Sequence, residues 1–373
     1  MQENGGLKPQ QQGPKLWILA SPHSGDNTQL LALADALGWP FEVKRMVYRR
    51  IEELLRLLGL ATLAGVDAER SSEIAPPWPD LVICAGRGAE AVAFWIRKHA
   101  NPKLRIVFIG TPWADPSKFD LVITTPQYGL PQAANILHND LPAHGVTPQK
   151  IAVEVEHWRS RLAHLPEPRI ALLVGGRSGP YTFNAERAAR LGLEASELAR
   201  SRGGSLLVTT SARTGAEATA SLASAITVPH HFHRWEKTSR DNPFLAILGL
   251  SERIIVTAES ISMLAEAGAS GKPVELYDIE HGPQAMRAEE QKPASHGRLP
   301  PIHWRGRSLD TTGFRLLMKF APIRWSRDLR IVHHRLIAAG LVNWFGEAAP
   351  SPQSQPQPAL SRSVARIRQL FGL

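Results

Sequence analysis

The sequence predicts a doubly wound α/β protein made of two similar domains facing a cleft, with helices at its C-terminal end. Three observations carry this. Short apolar runs bounded by turn residues alternate with longer stretches of helical period, and the alternation restarts near the midpoint after a proline-rich interruption. The 373 residues exceed what one hydrophobic core ordinarily organises and suit two domains of about 100–200 residues each. With 43% apolar and 21% charged residues, most of the chain has the means to bury a core.

Each element follows in order. Residues 1–14 are polar and read as a disordered N-terminus, and residues 15–150 form a first, Rossmann-like domain. There LWILA (16–20) is a strand, and after SPHSGDNTQ a helix begins near Thr28, with Leu30, Leu31, Leu33, Ala34 and Leu37. DLVICAG (80–86) is a second strand, GAEAVAFWIRKH its helix, LRIVFIG (104–110) a third strand and DLVITT (120–125) a fourth. Residues 151–168, ending in LPEP, are expected to be a linker. The second Rossmann-like domain, 169–290, starts with the strand RIALLV (169–174), then a helix over 185–202 with Asn184 as its N-cap, and the strand SLLVTT (205–210). A helix around 214–225, a basic, His-rich stretch (230–240), the strand RIIVT (253–257), a helix near 261–270 and the strand PVELYD (273–278) complete it. Residues 291–344 form a basic helical region. The tail, 345–373, is a Pro/Gln/Ser-rich flexible linker and an amphipathic helix, with Val364, Ile367, Leu370 and Phe371 on one face and Arg362, Arg366 and Arg368 on the other. That helix suits either anionic lipid or packing against its own domain.

The charge balance is 43 − 34 = +9, which favours anionic partners. Residues 298–335 alone carry eight arginines and one lysine, so this region is the expected contact face. No nucleic-acid module accompanies it, and nucleic acid is not an expected partner. The single cysteine, Cys84, makes no internal bridge and fits a reducing compartment. No run approaches the roughly 18 apolar residues of a membrane span. A cytoplasmic protein, peripheral on the inner face of the cytoplasmic membrane, is the expectation.

Loop 175–183, GGRSGPYTF, follows a strand and precedes a capped helix, where an α/β sheet places ligands and a helix N-terminus favours phosphate. Gly175 and Gly176 would let backbone approach a ligand, Arg177 adds a charge and Ser178 a donor. A dinucleotide fingerprint is disfavoured, because the next strand ends in TTSART without an acid, and no Gly-Lys-Ser/Thr follows to make a Walker loop. A second constellation is VTAESISMLAEAGASGKPVELYD (256–278). Ser260 and Ser262 sit at a helix start, and Glu266 could accept hydrogen bonds from a ribose diol; the plainer alternative for Glu266 is a solvated helix carboxylate.

The pair GGRS and ESISMLAEAGASGKPV resembles the C-terminal half of GT-B glycosyltransferases. More closely, GGRSGPYTF, TTSART, DNPF (241–244) and TAESISMLAEAGASGKPV, in this order, resemble the "elongated mitochondria" family of plant mitochondrial fission factors and their bacterial homologues. The resemblance implies a GT-B-like fold, with Gly175, Gly176 and Ser178 in a diphosphate loop and Thr210, Ser211 and Arg213 beside it. It matches Asn242 and Pro243 to the family's Asn-Pro, and it puts Ser260, Ser262, Met263 and Glu266 around a nucleotide. Glu259 stands where aspartate is expected.

The function expected is transfer of a sugar from a nucleotide-diphosphate-sugar to a lipid-linked or envelope acceptor, the nucleotide-sugar being a substrate and no cofactor or metal being required. His23 and Asp26, on the first strand-to-helix loop, are the candidate catalytic residues, with Glu90 a weaker one. His230, His231 and His233 are not expected to bind metal, since neighbours in a strand point to opposite faces. The alternatives are a nucleotide-sugar epimerase and a non-catalytic membrane adaptor of the fission-factor type.

Overall fold

A computed structural model describes residues 13–21, 24–57, 59–237, 241–280, 285–287, 327–347 and 358–373. The chain divides into two units, the first drawn from segments 1–125, 130–145 and 357–373, the second from 126–129 and 146–356. His23 and most of the basic region 291–344 lie outside the described residues.

The first unit is a parallel sheet ordered β2-β1-β3-β4-β5-β6. Its strands are β1 (Leu16–Ala20), β2 (Phe41–Arg45), β3 (Leu81–Ala85), β4 (Arg105–Ile109), β5 (Leu121–Thr124) and β6 (Ile136–His138), and its helices α1 (Ser24–Leu37), α2 (Glu52–Leu57) and α3 (Arg87–His99). Side chains alternate across a strand, and a sheet covered on both faces needs apolar residues at every position. Trp17, Leu19, Val82, Cys84, Ile106 and Phe108 accordingly pack with Val92, Ala93 and Ile96 of α3. Leu16, Ile18, Leu81, Ile83, Val107 and Ile109 pack on the other face with Leu30, Leu33 and Leu37 of α1. Each fully buried Leu, Ile or Val contributes about 1.5–3 kcal/mol, so the two-sided sheet dominates this unit's stability.

The second unit contains α4 (Pro148–Leu162), β7 (Arg169–Leu173), α5 (Ala185–Ser201), β8 (Ser205–Thr209), α6 (Ala216–Ala225), β9 (His230–His233), α7 (Phe244–Leu250), β10 (Arg253–Thr257), α8 (Ile261–Gly268), β11 (Val274–Tyr277), α9 (Arg330–Ala338) and β12 (Asn343–Trp344). Its parallel sheet is ordered β12-β11-β10-β7-β8-β9. The chain starts in the middle at β7, runs out one way to β9, then returns and runs out the other way from β10. The reversal opens a crevice at the carboxyl ends of β7 and β10, where doubly wound sheets bind ligands. Stretch 151–168, expected as a linker, instead carries most of α4. Thr147 caps that helix through Lys150 N–H, Pro148 starts it, and Ile151, Trp158 and Leu162 are buried. Asn184 caps α5 as its sequence position implies, accepting from Arg187 N–H at 3.0 Å.

The terminal helix α10 (Ala359–Gln369) belongs to the first unit. Ile367 is fully buried in the core beside α1, with Leu360, Val364, Leu370 and Phe371 packed around it. Its arginines tie it down as well: Arg362 donates to the His138 carbonyl at 3.1 Å and Arg368 to that of Leu37, the last residue of α1, at 3.2 Å. Of the two surfaces its pattern suits, the apolar face takes its own domain. Among the described residues no helix is long and apolar enough to cross a membrane.

Candidate functional site

The crevice of the second unit is walled by three loops, after β7, β8 and β10. Loop 175–178 is held from within. Gly175 N–H donates to Thr257 Oγ1 at 2.8 Å and Gly176 N–H to Glu259 Oε1 at 2.6 Å. Arg177 N–H donates to the Arg213 carbonyl and Ser178 N–H to that of Tyr181, both at 3.1 Å. Every amide from 175 to 178 therefore has a protein acceptor. The glycines are explained by the same packing: a Cβ at Gly175 would lie 2.0 Å from Glu259 Oε1, and one at Gly176, where φ is +140°, 2.2 Å from the Arg213 carbonyl oxygen. The sequence places a close approach of backbone here; in the structure it is the neighbouring protein that makes it. Gly179-Pro180 forms a tight turn closed by mutual backbone hydrogen bonds between Ser178 and Tyr181.

The second loop locks onto the first. Ser211 Oγ donates to the Gly175 carbonyl, and Thr214 Oγ1 donates to the same oxygen at 2.6 Å. Thr210 is buried, its hydroxyl accepting from Trp235 N–H at 2.9 Å, so it serves the loop rather than the crevice. Arg213 is exposed and reaches across, donating through one nitrogen to the Arg177 carbonyl at 3.2 Å and through the other to Ser260 Oγ at 3.3 Å. The third loop brings Glu259 and Ser260. Glu259 is fully buried; one oxygen holds Gly176 N–H and the Thr257 hydroxyl, and the other has no hydrogen-bond partner among the described residues. Burial pushes its carboxyl above the usual carboxylate range, opposed by the Arg213 charge and the Gly176 amide. Ser260 stands at the N-cap of α8 but makes no side-chain cap. The amides of the first turn, which an α-helix leaves without internal partners, thus go uncapped by it.

Ser262, Met263 and Glu266 are half-buried on α8. Burial pushes the Glu266 carboxyl up to about 7, which sets it apart from the solvated helix carboxylate. Asn242 and Pro243 immediately precede α7, and Asn242 Oδ1 accepts from Phe244 N–H at 3.0 Å. Among the described residues neither is hydrogen-bonded to the three crevice loops. The cluster brought together is thus Gly175, Gly176, Arg177, Ser178, Ser211, Arg213 and Ser260.

One participant escaped the sequence reading. Arg327, just before α9, donates to Ser178 Oγ at 3.4 Å and to Gln127 Oε1 at 3.2 Å. Its only sequence signal was membership of a basic run.

In the first unit Asp26 lies in the first turn of α1 and accepts from Ser21 Oγ at 2.8 Å, while Asn27 Oδ1 accepts from Ser21 N–H at 2.8 Å. Both side chains pin the turn after β1. Glu90 is buried and accepts from the amides of Trp113 at 2.7 Å and Ala114 at 2.9 Å, a clasp on the loop after β4. His231 packs edge-on to Trp158. Among the described residues no group of His, Cys, Asp and Glu is placed to hold a metal ion.

A family model described as mitochondrial fission ELM1 matches residues 24–313. The mitochondrial fission protein ELM1 of Arabidopsis thaliana is 22% identical over 253 residues, covering 60% of this chain and 58% of that protein, less than two thirds of its length. The uncharacterized protein RP120 of Rickettsia prowazekii is 21% identical over 295 residues, covering 70% of this chain and 82% of that one. Among solved structures, UDP-GlcNAc 2-epimerase of Methanocaldococcus jannaschii, in complex with UDP-GlcNAc and UDP, superposes with a TM-score of 0.51 at 11% identity, covering 96% of this chain and 99% of that one. At that identity the likeness is one of fold, the two-sheet GT-B-like arrangement.

Proposed function

The chain belongs to the mitochondrial fission ELM1 family, and from that premise we propose that its second unit binds a nucleotide-diphosphate-sugar whose sugar the protein transfers to a lipid-linked or envelope acceptor. The observation that carries the reading is Glu266, a carboxyl raised by burial on the helix whose N-terminus stands at the β7/β10 switch point. In this reading Glu266 accepts hydrogen bonds from the ribose diol. The diphosphate lies toward the start of α8, where uncapped amides and the helix dipole stabilise the charge that builds on the leaving group. Asp26 or His23 takes the acceptor proton. The acceptor side is peripheral on the inner face of the cytoplasmic membrane.

Hydrogen bonds from a diol favour the ionised carboxylate, so nucleotide binding should release the proton that Glu266 carries below about pH 7. Affinity for the best of a panel of UDP, GDP, CDP and ADP sugars, followed by calorimetry, should rise from pH 6 to pH 8 and then level. Glu266→Gln should bind at least tenfold more weakly and lose that pH dependence. No binding by any sugar nucleotide, or binding indifferent to Glu266→Gln, overturns the nucleotide site. Release of free nucleotide in the presence of membrane extract then tests transfer.

The non-catalytic adaptor is favoured by one observation, the internal satisfaction of every amide in loop 175–178, which leaves that loop folded without a ligand. Tight nucleotide binding with no donor turnover is its expected signature.

A further inference from the structure

The two arginines at the crevice are held in an unusual way. Arg213 meets Ser260 Oγ at 3.3 Å and Arg327 meets Ser178 Oγ at 3.4 Å, both long contacts to neutral hydroxyls. Their other partners are neutral too: the Arg177 carbonyl for Arg213 and the Gln127 side-chain oxygen for Arg327. Among the described residues neither guanidinium has a carboxylate within ion-pairing distance, whereas the nearby Arg330 grips Asp328 at 2.7 Å and Arg187 grips Glu280 at 2.7 Å. Arg213 feels the buried Glu259 carboxyl, which favours its charge, and Arg327, which opposes it, so a second cation shares the crevice with the first. A guanidinium fork gains most from an oxyanion, with hydrogen bonds to charged groups worth about 1.5–3 kcal/mol against about 1 for neutral ones.

The usual receptor for that oxyanion, the glycine loop, is closed. Its amides face Thr257, Glu259, Arg213 and Tyr181, and a carboxyl oxygen already sits 2.6 Å from Gly176 N. The N-cap hydroxyl of Ser260 is turned to Arg213 instead of into its helix. We propose that Arg213 and Arg327 form a clamp for a diphosphate, with Ser178 and Ser260 as hydroxyl donors, and that this clamp replaces the glycine loop as the phosphate-reading element. The inference rests on the nucleotide-sugar reading for what the diphosphate belongs to, but not for the clamp itself. Binding exchanges two weak neutral acceptors for phosphate oxygens and frees both hydroxyls to donate. Arg327 makes the segment before α9 part of the site, and through the Gln127 contact it also ties the site to residues 126–129.

The experiment uses the full chain and two probes, inorganic diphosphate and the nucleoside diphosphates. Arg213→Gln and Arg327→Gln should each weaken inorganic diphosphate at least tenfold and the double variant further. Ser178→Ala and Ser260→Ala should weaken it by a smaller factor. Because the alanine variants remove only a hydroxyl, they keep the test alive if an arginine variant folds poorly, which circular dichroism reports. Loss of both probes in the arginine variants supports clamp and nucleotide reading together. If inorganic diphosphate binds through the arginines and nucleosides add nothing, the clamp stands and the nucleotide reading falls. If nucleotides bind all variants as tightly as the parent, the clamp falls and the nucleotide reading stands. No binding of either probe at millimolar concentration overturns both.

Discussion

Glycine 176 shows how the same residue serves two arguments. In the sequence it marks a backbone that a phosphate could approach; in the structure its φ of +140° and the Arg213 carbonyl behind it demand glycine whether or not a ligand is bound. Gly176→Ala should therefore destabilise the protein by about 3 kcal/mol or more, through overpacking and backbone strain together. The check is urea unfolding with and without saturating diphosphate: a variant that loses affinity while keeping its stability would return the loop to its phosphate role. The composition Gly-Gly-Arg-Ser was legible, but which partner faces the amides was not, because Thr257 and Glu259 arrive from more than 80 residues away. Arg327 was equally hidden, since one arginine in a run of nine basic residues carries no mark of where its fork will point.

Among elements, legibility followed burial. The central strands β1, β3, β4, β7, β8 and β10 are covered on both faces and announced themselves as apolar runs. Strand β2, FEVKR, is exposed at most positions, and β9, HHFH, has no fully buried residue; edge strands owe their pairing to a neighbour's backbone, which leaves no apolar signature. Helix α9 was folded into a generic basic region, yet it carries His333. That ring is buried, with Nε2 2.8 Å from the Ala258 carbonyl, the turn that delivers Glu259 and Ser260. Among the described residues Nδ1 has no partner, so the neutral ring donates from Nε2. Burial lowers its pKa from the ordinary 6.5 to about 4. The unfolded chain then takes up a proton that the folded one refuses, and stability present above pH 6.5 is lost as pH falls toward 4, by roughly 2–3 kcal/mol. Urea midpoints measured from pH 7.5 to pH 4.5 should fall, and His333→Gln should flatten the fall; an unchanged slope would show that other groups govern it.

For the whole molecule, the restart of the alternation at Arg169 read out the two-unit plan, and length set the number of cores. What one sequence could not show was that the units are discontinuous. The amphipathic end of the chain was equally compatible with lipid and with protein, since both accept an apolar face beside arginines. The partner that settles it is the seam beside α1, and Ile367→Ala should cost about 2–5 kcal/mol and lower the first thermal transition. Wild-type stability in that variant would mean the helix contributes nothing to the first core.

The return of residues 357–373 to the first unit also sets an order of events during synthesis. A ribosome delivers β1 to β6 first, but the face of that sheet lined by Leu16, Leu81 and Leu121 waits for its last cover until more than 200 further residues have been made. The nascent chain therefore carries an apolar seam while the whole second unit is made. Residues 357–373, made only after the second unit, are the ones that close it.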